Sequence, residues 1–129
     1  MNDFGYVLDA SALLAAIKRE LGGSDVRGLL HASVIGSVNL CEVVATLQDN
    51  GLEDLVVDDL LADLGIETID FDAALATDAG RLRYATRSAG LSLGDRACLA
   101  LGRQRGAVVL TADRAWATLD IGVTVELIR

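Results

Sequence analysis

Tyr6-Val7-Leu8-Asp9-Ala10-Ser11-Ala12-Leu13-Leu14 is the stretch whose reading decides the fold. Its three consecutive apolar residues, with no polar alternation, predict a short strand buried on both faces. Helical spacing begins at once, through Leu14, Ile17 and Leu21, so a strand runs directly into a helix. Asp9 stands at that junction. In an open α/β sheet such a junction lies at the carboxyl edge, where ligands bind. Ser11 follows near the helix start.

Working outward, 129 residues suffice for one domain, able to bury roughly 65 to 70% of its unfolded surface in a single core. With 52% hydrophobic residues and no proline, no disordered tail, linker or low-complexity tract is expected. The apolar runs are far short of the ~20 residues of a membrane helix. The acidic start Met1-Asn2-Asp3 leads straight into the first strand, so no signal peptide is expected either, and the protein reads as soluble and cytoplasmic. Cys41 and Cys98 lie in apolar helical sequence without a CxxC neighbour and are expected to be two buried thiols rather than a disulfide or zinc site. His31 is the single histidine, which argues against nucleophilic triads and histidine-based metal sites. The net charge of −8 argues against a general electrostatic grip on nucleic acid, though ten arginines against the one Lys18 leave room for local phosphate contacts.

Along the chain, Ser24-Asp25 is expected to cap a short second helix carrying Val26, Leu29 and Leu30, and Ser33 to Ile35 to form a second strand. A third helix runs from Ser37 to about Asn50, stopped by Gly51. Its Val38, Cys41, Val43, Val44, Ala45 and Leu47 predict deep burial, with Asn39, Glu42 and Thr46 on one polar stripe. A fourth helix, about 52 to 64, should bury Leu52, Val56, Leu60 and Leu64 and be closed by Gly65. Ile66 to Ile69 follows as a third strand, then a helix from about Phe71 to Ser88 and another from about Gly90, closed by Gly106. Ala107 to Leu110 reads as a buried strand ending at Thr111-Ala112-Asp113, a short helix carries Trp116 and Leu119, and Val123 to Leu127 alternates as an edge strand should. Strands alternating with helices predict a three-layer sandwich around a mainly parallel five-stranded sheet.

Asp9, Glu42, Asp95 and Asp113 each sit in otherwise apolar sequence at an element end or on a packed helix. Each has a local explanation. Asp9 and Asp113 can cap the helices after their strands, Ser92 and Asp95 match a capping box, and Glu42 can bond Asn39 or Thr46. Together they predict four carboxylates in one cleft, which cannot all ionise without a counter-charge. A hard divalent cation, magnesium or manganese, fits best. Such ions prefer oxygen ligands and can activate a water while steadying the leaving oxygen of a phosphodiester. In that scheme Asp9 and Asp113 hold the main ion, Asp95 bridges or holds a second, and Glu42 positions or deprotonates the attacking water. Ser11, Asn39 and Thr111 are supporting polar residues.

These residues also resemble a family. Tyr6 to Leu14, Val38-Asn39-Leu40-Cys41-Glu42-Val43, Leu91-Ser92-Leu93-Gly94-Asp95-Arg96-Ala97-Cys98-Leu99-Ala100-Leu101 and Leu110-Thr111-Ala112-Asp113-Arg114-Ala115-Trp116 are similar to the motifs of PIN-domain ribonucleases, specifically the VapC-type toxins of bacterial type II toxin-antitoxin modules. The resemblance spans the chain in order. It implies a PIN fold of strand order 3-2-1-4-5 over residues 1–129, with Asp9, Glu42, Asp95 and Asp113 as the acidic quartet. It further implies magnesium- or manganese-dependent cleavage of RNA, a homodimer, and inhibition by a cognate antitoxin whose carboxy-terminal segment covers the active site. Two departures touch no proposed ligand: a loop proline common in the family is absent from Glu20 to Ser24, and Cys41 stands where alanine is frequent.

Arg83, Arg87, Arg96 and Arg114 are candidate phosphate contacts. Surface exposure for the first pair, and salt bridges to the neighbouring acids for the second, are the alternatives. Two other readings of the whole chain stand beside the nuclease. One is a catalytically silent interaction or nucleic-acid-binding module of the same fold, which metal titration would separate. The other is a receiver-type phosphoryl-transfer domain, disfavoured because Asp9-Ala10-Ser11 offers no second acid and Lys18 lies too far along its helix.

Overall fold

In a computed structural model of the chain, which describes residues 4–129, strands and helices alternate as the apolar runs predict. The acidic start Met1-Asn2-Asp3 lies outside the described residues. Tyr6–Leu8 (β1), Ser33–Gly36 (β2), Glu67–Ile69 (β3), Val108–Thr111 (β4) and Thr124–Leu127 (β5) form one sheet in the order β3-β2-β1-β4-β5. Every pair is parallel, so the expected order is borne out. The helices are Ala10–Lys18 (α1), Gly23–Leu29 (α2), Ser37–Asp49 (α3), Asp54–Leu64 (α4), Ala73–Ala85 (α5) and Leu93–Arg105 (α6). Short 3-10 turns cover Leu30–Ala32, Arg87–Ala89 and Arg114–Thr118.

Successive strand side chains point to opposite faces, and this period sorts the core into two layers. Leu8, Ile35, Val108 and Leu110 pack with Leu13, Val26, Val43, Leu47 and Val57, the inner residues of α1 to α4. Val7, Val34 and Val109 pack with Leu75, Leu82, Leu99, Leu101 and Trp116 on the side of α5 and α6. Covered on both faces, β1 and β4 carry no exposed residue. The edge strand β5 instead alternates half-buried and exposed positions. Full burial of each such aliphatic side chain contributes about 1.5–3 kcal/mol relative to exposure. α1 and α2 approach so closely that a Cβ on Gly23 would lie 2.6 Å from the carbonyl carbon of Ala15, which only glycine avoids.

Several local expectations are corrected. α1 ends at Lys18 rather than continuing to Leu21, which is 79% exposed. Ser24 and Asp25 lie inside the first turn of α2, whose N-cap is Gly22. α3 is not deeply buried: Asn39, Val43 and Leu47 form its one fully buried line, and Cys41, Glu42 and Ala45 are exposed. Apolar residues surround this helix, but its neighbours cover only one arc of it. Cys41 is therefore an exposed thiol, whereas Cys98 is buried as expected. Of the inner line expected for the fourth helix, Leu52 and Leu64 pack against the core and Leu60 is half-buried, but Val57 rather than Val56 fills the buried position. α5 stops at Ala85, after which the Thr86 hydroxyl donates to the Leu82 carbonyl and a 3-10 turn follows.

Candidate active site

β1 delivers Asp9 to the carboxyl edge of the sheet at its centre, between β2 and β4. The Asp9 backbone N–H still donates to the Leu110 carbonyl, 3.2 Å, so the residue is anchored to β4 as the chain turns into α1. Its carboxylate is the N-cap of α1, with Oδ1 accepting from the Ala12 N–H at 2.9 Å. Ser11 Oγ donates to the same oxygen at 2.7 Å and accepts from the Ala112 N–H at 2.9 Å, tying the β1 turn to the β4 turn. On the other side, Thr111 Oγ1 donates to Asp9 Oδ2 at 2.6 Å and accepts from the Asp113 N–H at 3.0 Å. Asp9 is only 7% exposed. Burial pushes its carboxyl above the ordinary value of 3.8, with the bonds from Thr111, Ser11 and Ala12 pulling the other way and the charge of Asp95 adding to the rise.

Asp95 lies in the first turn of α6, where both arms of the expected capping box are formed. Its N–H donates to Ser92 Oγ at 3.1 Å, and Asp95 Oδ2 accepts from the Ser92 N–H at 2.9 Å. Glu42 projects from α3 over the start of the same helix. Asn39, 2% exposed, sets its position by donating from Nδ2 to Glu42 Oε1 at 2.9 Å and to the Gly94 carbonyl at 3.1 Å. Although Glu42 as a whole is exposed, partial burial of its carboxyl raises it too, with the charges of Asp95 and Asp9 adding to the rise and the Asn39 bond opposing it. Fully buried Cys98 lies beneath the group. Its thiol is pushed well up by burial and, after that, by Asp9, Asp95 and Glu42. Three acids from β1, α3 and α6 thus act on one another and on one buried point.

Asp113 joins this group through Thr111 rather than by charge. Its Oδ1 accepts from the Ala115 N–H at 3.0 Å and caps the following 3-10 turn, and the residue is exposed. Among the described residues, no three His, Cys, Asp or Glu side chains stand close enough to form a ready-made metal cage. The donor set nevertheless fits a hard cation. It consists of carboxylate oxygens, two of them with titration raised by burial and like charge, and magnesium binds through one or two carboxylates with waters and substrate phosphates rather than through an all-protein cage.

Of the candidate arginines, Arg96 is half-buried and donates from Nη1 to the Ala79 carbonyl at 3.1 Å, linking α6 to α5. Arg114 is exposed beside Asp113. Arg83 and Arg87 line a separate pocket with Thr86, Gly90 and Leu91. Two contributors were not singled out in the sequence. A Cβ on Gly94 would lie within 2.6 Å of the Glu42 carboxyl carbon, so the glycine makes the space Glu42 occupies. Cys98 was read only as a core thiol. The Leu93-Gly94-Asp95 run, a glycine inside a helix's first turn, was the available signal for the former.

The profile of the PIN domain family matches residues 6–122. The chain belongs to the PIN-domain family. PIN domains are generally nucleases that use divalent metal ions. No curated protein matches the chain. Solved structures similar to it include VapBC2 from Rickettsia felis bound to a DNA fragment from its promoter, 19% identical over 95% of this chain and 97% of that one, with a TM-score of 0.76. DNA-bound VapBC from Salmonella typhimurium is 21% identical over 97% and 98%, with a TM-score of 0.72. VapBC-5 from Mycobacterium tuberculosis, a member of the VapBC family of toxin-antitoxin systems, is 25% identical over 97% and 98%, with a TM-score of 0.62. In this PIN domain, as the sequence predicts, the sheet order and the strand-to-helix turn place Asp9 at the central carboxyl edge. No described helix is long and apolar enough to cross a membrane.

Proposed function

We propose that this PIN domain is a magnesium- or manganese-dependent endoribonuclease, the VapC-type toxin of a type II toxin-antitoxin pair. The observation that carries the reading is the Asp9 carboxylate, buried at the sheet's central edge, held by Thr111, Ser11 and Ala12, and within the field of Asp95 and Glu42. Asp9, Asp95 and Asp113 would hold the cation, which when bound supplies an activated water and a counter-charge for the leaving oxygen of the phosphodiester. Asp9 is preorganised for this by bonds that fix both oxygens. Glu42, fixed by Asn39, takes a proton from the attacking water, and its raised carboxyl is the better base for that step. Thr111 couples the positions of Asp9 and Asp113, and Ser11 locks the two loops that carry them.

Partners follow from the same surface. A groove of about 540 Å³, lined by Ser37, Val38, Cys41, Glu42, Ser92, Leu93 and Gly94, adjoins Glu42 and is mostly apolar. Such a groove suits the apolar side chains of an antitoxin segment, and the acids beside it suit basic ones. A homodimer and a cytoplasmic site of action belong to the same proposal.

The test is cleavage of a panel of structured RNAs by purified, partner-free protein, with magnesium, manganese or chelator, beside Asp9→Asn. Cuts that require metal and vanish in the variant are expected. Cuts indifferent to chelator, or retained in full by Asp9→Asn, would sink the proposal.

A further inference from the structure

Between Asp78 and Asp95 the chain has no acid and carries Arg81, Arg83 and Arg87, three of its ten arginines, although the whole chain has a net charge of −8. This basic window is the C-terminal half of α5 and the turn leading to Asp95. Folding concentrates it further. Arg83, Thr86, Arg87, Gly90 and Leu91 line one pocket of about 170 Å³. The Thr86 hydroxyl is committed to the Leu82 carbonyl at 2.7 Å, so the two guanidinium groups supply the pocket's charged donors. Beside them Tyr84 is 84% exposed, with the Arg87 guanidinium carbon 5.7 Å from its ring centroid. An aromatic ring left in water beside paired arginines is the arrangement that single-stranded nucleic acid uses, with phosphates on the guanidiniums and an unstacked base on the ring.

The position is equally specific. α5 and α6 form a hairpin, bridged by Arg96 on the Ala79 carbonyl, and the turn that joins them carries the pocket. Leu91 lines the pocket, and the next residue, Ser92, forms the capping box with Asp95. The pocket therefore lies one residue along the chain from the groove that Ser92, Leu93, Gly94 and Glu42 line. A strand seated at Arg83 and Arg87 meets positive charge before it meets a cleft that otherwise repels its phosphates.

We infer that Arg83 and Arg87 form a phosphate subsite, and Tyr84 a base-stacking platform, for single-stranded RNA entering the active site from the α5–α6 turn. The inference rests on the ribonuclease reading, but it is tested by binding rather than by cleavage. The probe is a short, unstructured, fluorescein-labelled oligoribonucleotide of mixed sequence, titrated with the full chain in chelator and followed by anisotropy over a range of salt concentrations. Each single-strand phosphate contact contributes about 0.7 to the slope of log affinity against log salt. The Arg83→Ala, Arg87→Ala double variant is thus expected to flatten the slope by roughly 1.4. Tyr84→Ala is expected to weaken binding by roughly 5- to 150-fold, the range for loss of one base stack, with the slope kept. Arg105→Ala, at the far end of α6, is the control and should leave both unchanged.

These three arginines and the tyrosine are exposed, and circular dichroism of each variant verifies the fold. Should a variant unfold, Arg87→Glu replaces it, with an expected loss of affinity greater than that of alanine. Affinity and slope that match the parent's in the double variant overturn the subsite. A parent chain with no affinity for the probe overturns it too. Asp9-dependent cleavage alongside unchanged binding in the arginine variants would refute this subsite alone. Cleavage indifferent to Asp9 alongside arginine-dependent binding would refute the catalytic assignment alone.

Discussion

Replacing Thr111 by valine keeps the shape of a fully buried side chain and deletes one hydroxyl, and because the Asp113 N–H loses its bond to that hydroxyl at every pH, the pH-dependent part of the effect reports what the hydroxyl does for Asp9. Thr111 Oγ1 donates to Asp9 Oδ2 at 2.6 Å and is the strongest influence holding the Asp9 carboxyl down against burial. Asp9 nonetheless titrates above its ordinary value of 3.8 in the folded chain. The folded state therefore takes up the proton first as pH falls, and ionised Asp9 costs stability as pH rises from 3.8 through the folded value. Without the hydroxyl the folded value moves higher and that cost grows. Below the unfolded value the carboxyl is protonated in both states, and a neutral bond worth about 0.5–1.5 kcal/mol is lost. At neutral pH a bond to a charged group, worth about 1.5–3 kcal/mol, is lost instead. Urea unfolding in chelator, for parent and variant at several pH values, should show a destabilisation that deepens by about 1 kcal/mol or more from acid to neutral pH. A difference that is flat with pH, or larger in acid, would refute the assignment of the Thr111 hydroxyl as the strongest bond favouring the charged form of Asp9.

Other consequences are simpler to measure. Gly94→Ala pushes its Cβ into the Glu42 carboxylate, the movable end of a side chain, so the expected result is a small change in thermal midpoint with a loss of cleavage of about tenfold or more. Magnesium or manganese at about one hundred times its dissociation constant should stabilise the folded chain by about 2.7 kcal/mol, seen as a rise in thermal midpoint. Asp9→Asn should show no such rise. Titration of the native protein with a thiol reagent should modify Cys41 and spare Cys98 until the chain unfolds, since the first is exposed and the second is buried with its thiol held protonated. Two equivalents taken up by native protein would contradict that placement.

The fold was legible because Tyr6 to Leu8 and Ala107 to Leu110 are continuous apolar runs without polar alternation, which is what strands covered on both sides require. The positions of Gly65 and Gly106 past their helices, both left-handed, were equally plain. Where the reading failed, the local pattern was degenerate. α4 carries Leu55, Val56, Val57, Leu60, Leu61 and Leu64, enough apolar residues to define two inner faces, and only packing against α3 selects the one built on Val57. The same surplus on α3 suggested burial that neighbouring elements do not provide. At the site, the identity of each acid was readable, and so was the Asn39 to Glu42 spacing that became a bond. The Thr111 bond to Asp9 joins residues 102 apart, and no local pattern could announce it.

The capping roles foreseen for Asp9, Asp95 and Asp113 are all present, and the question is whether capping exhausts them. A carboxylate offers about four acceptor positions on two oxygens. Asp95 accepts from Ser92 on Oδ2, Asp113 from Ala115 on Oδ1 and Glu42 from Asn39 on Oε1, each a single bond on a single oxygen. In each case the second oxygen has no hydrogen-bond partner among the described residues. A cap alone at Asp95 would be served as well by serine or asparagine, neither of which brings a charge into the field of Asp9 and Glu42. The cost of that charge appears in the raised carboxyls of Asp9 and Glu42. The local bonds and the proposed chemistry are therefore compatible: in Asp95, Asp113 and Glu42 one oxygen fixes where the carboxylate stands, and the other is left free of hydrogen bonds within the described residues.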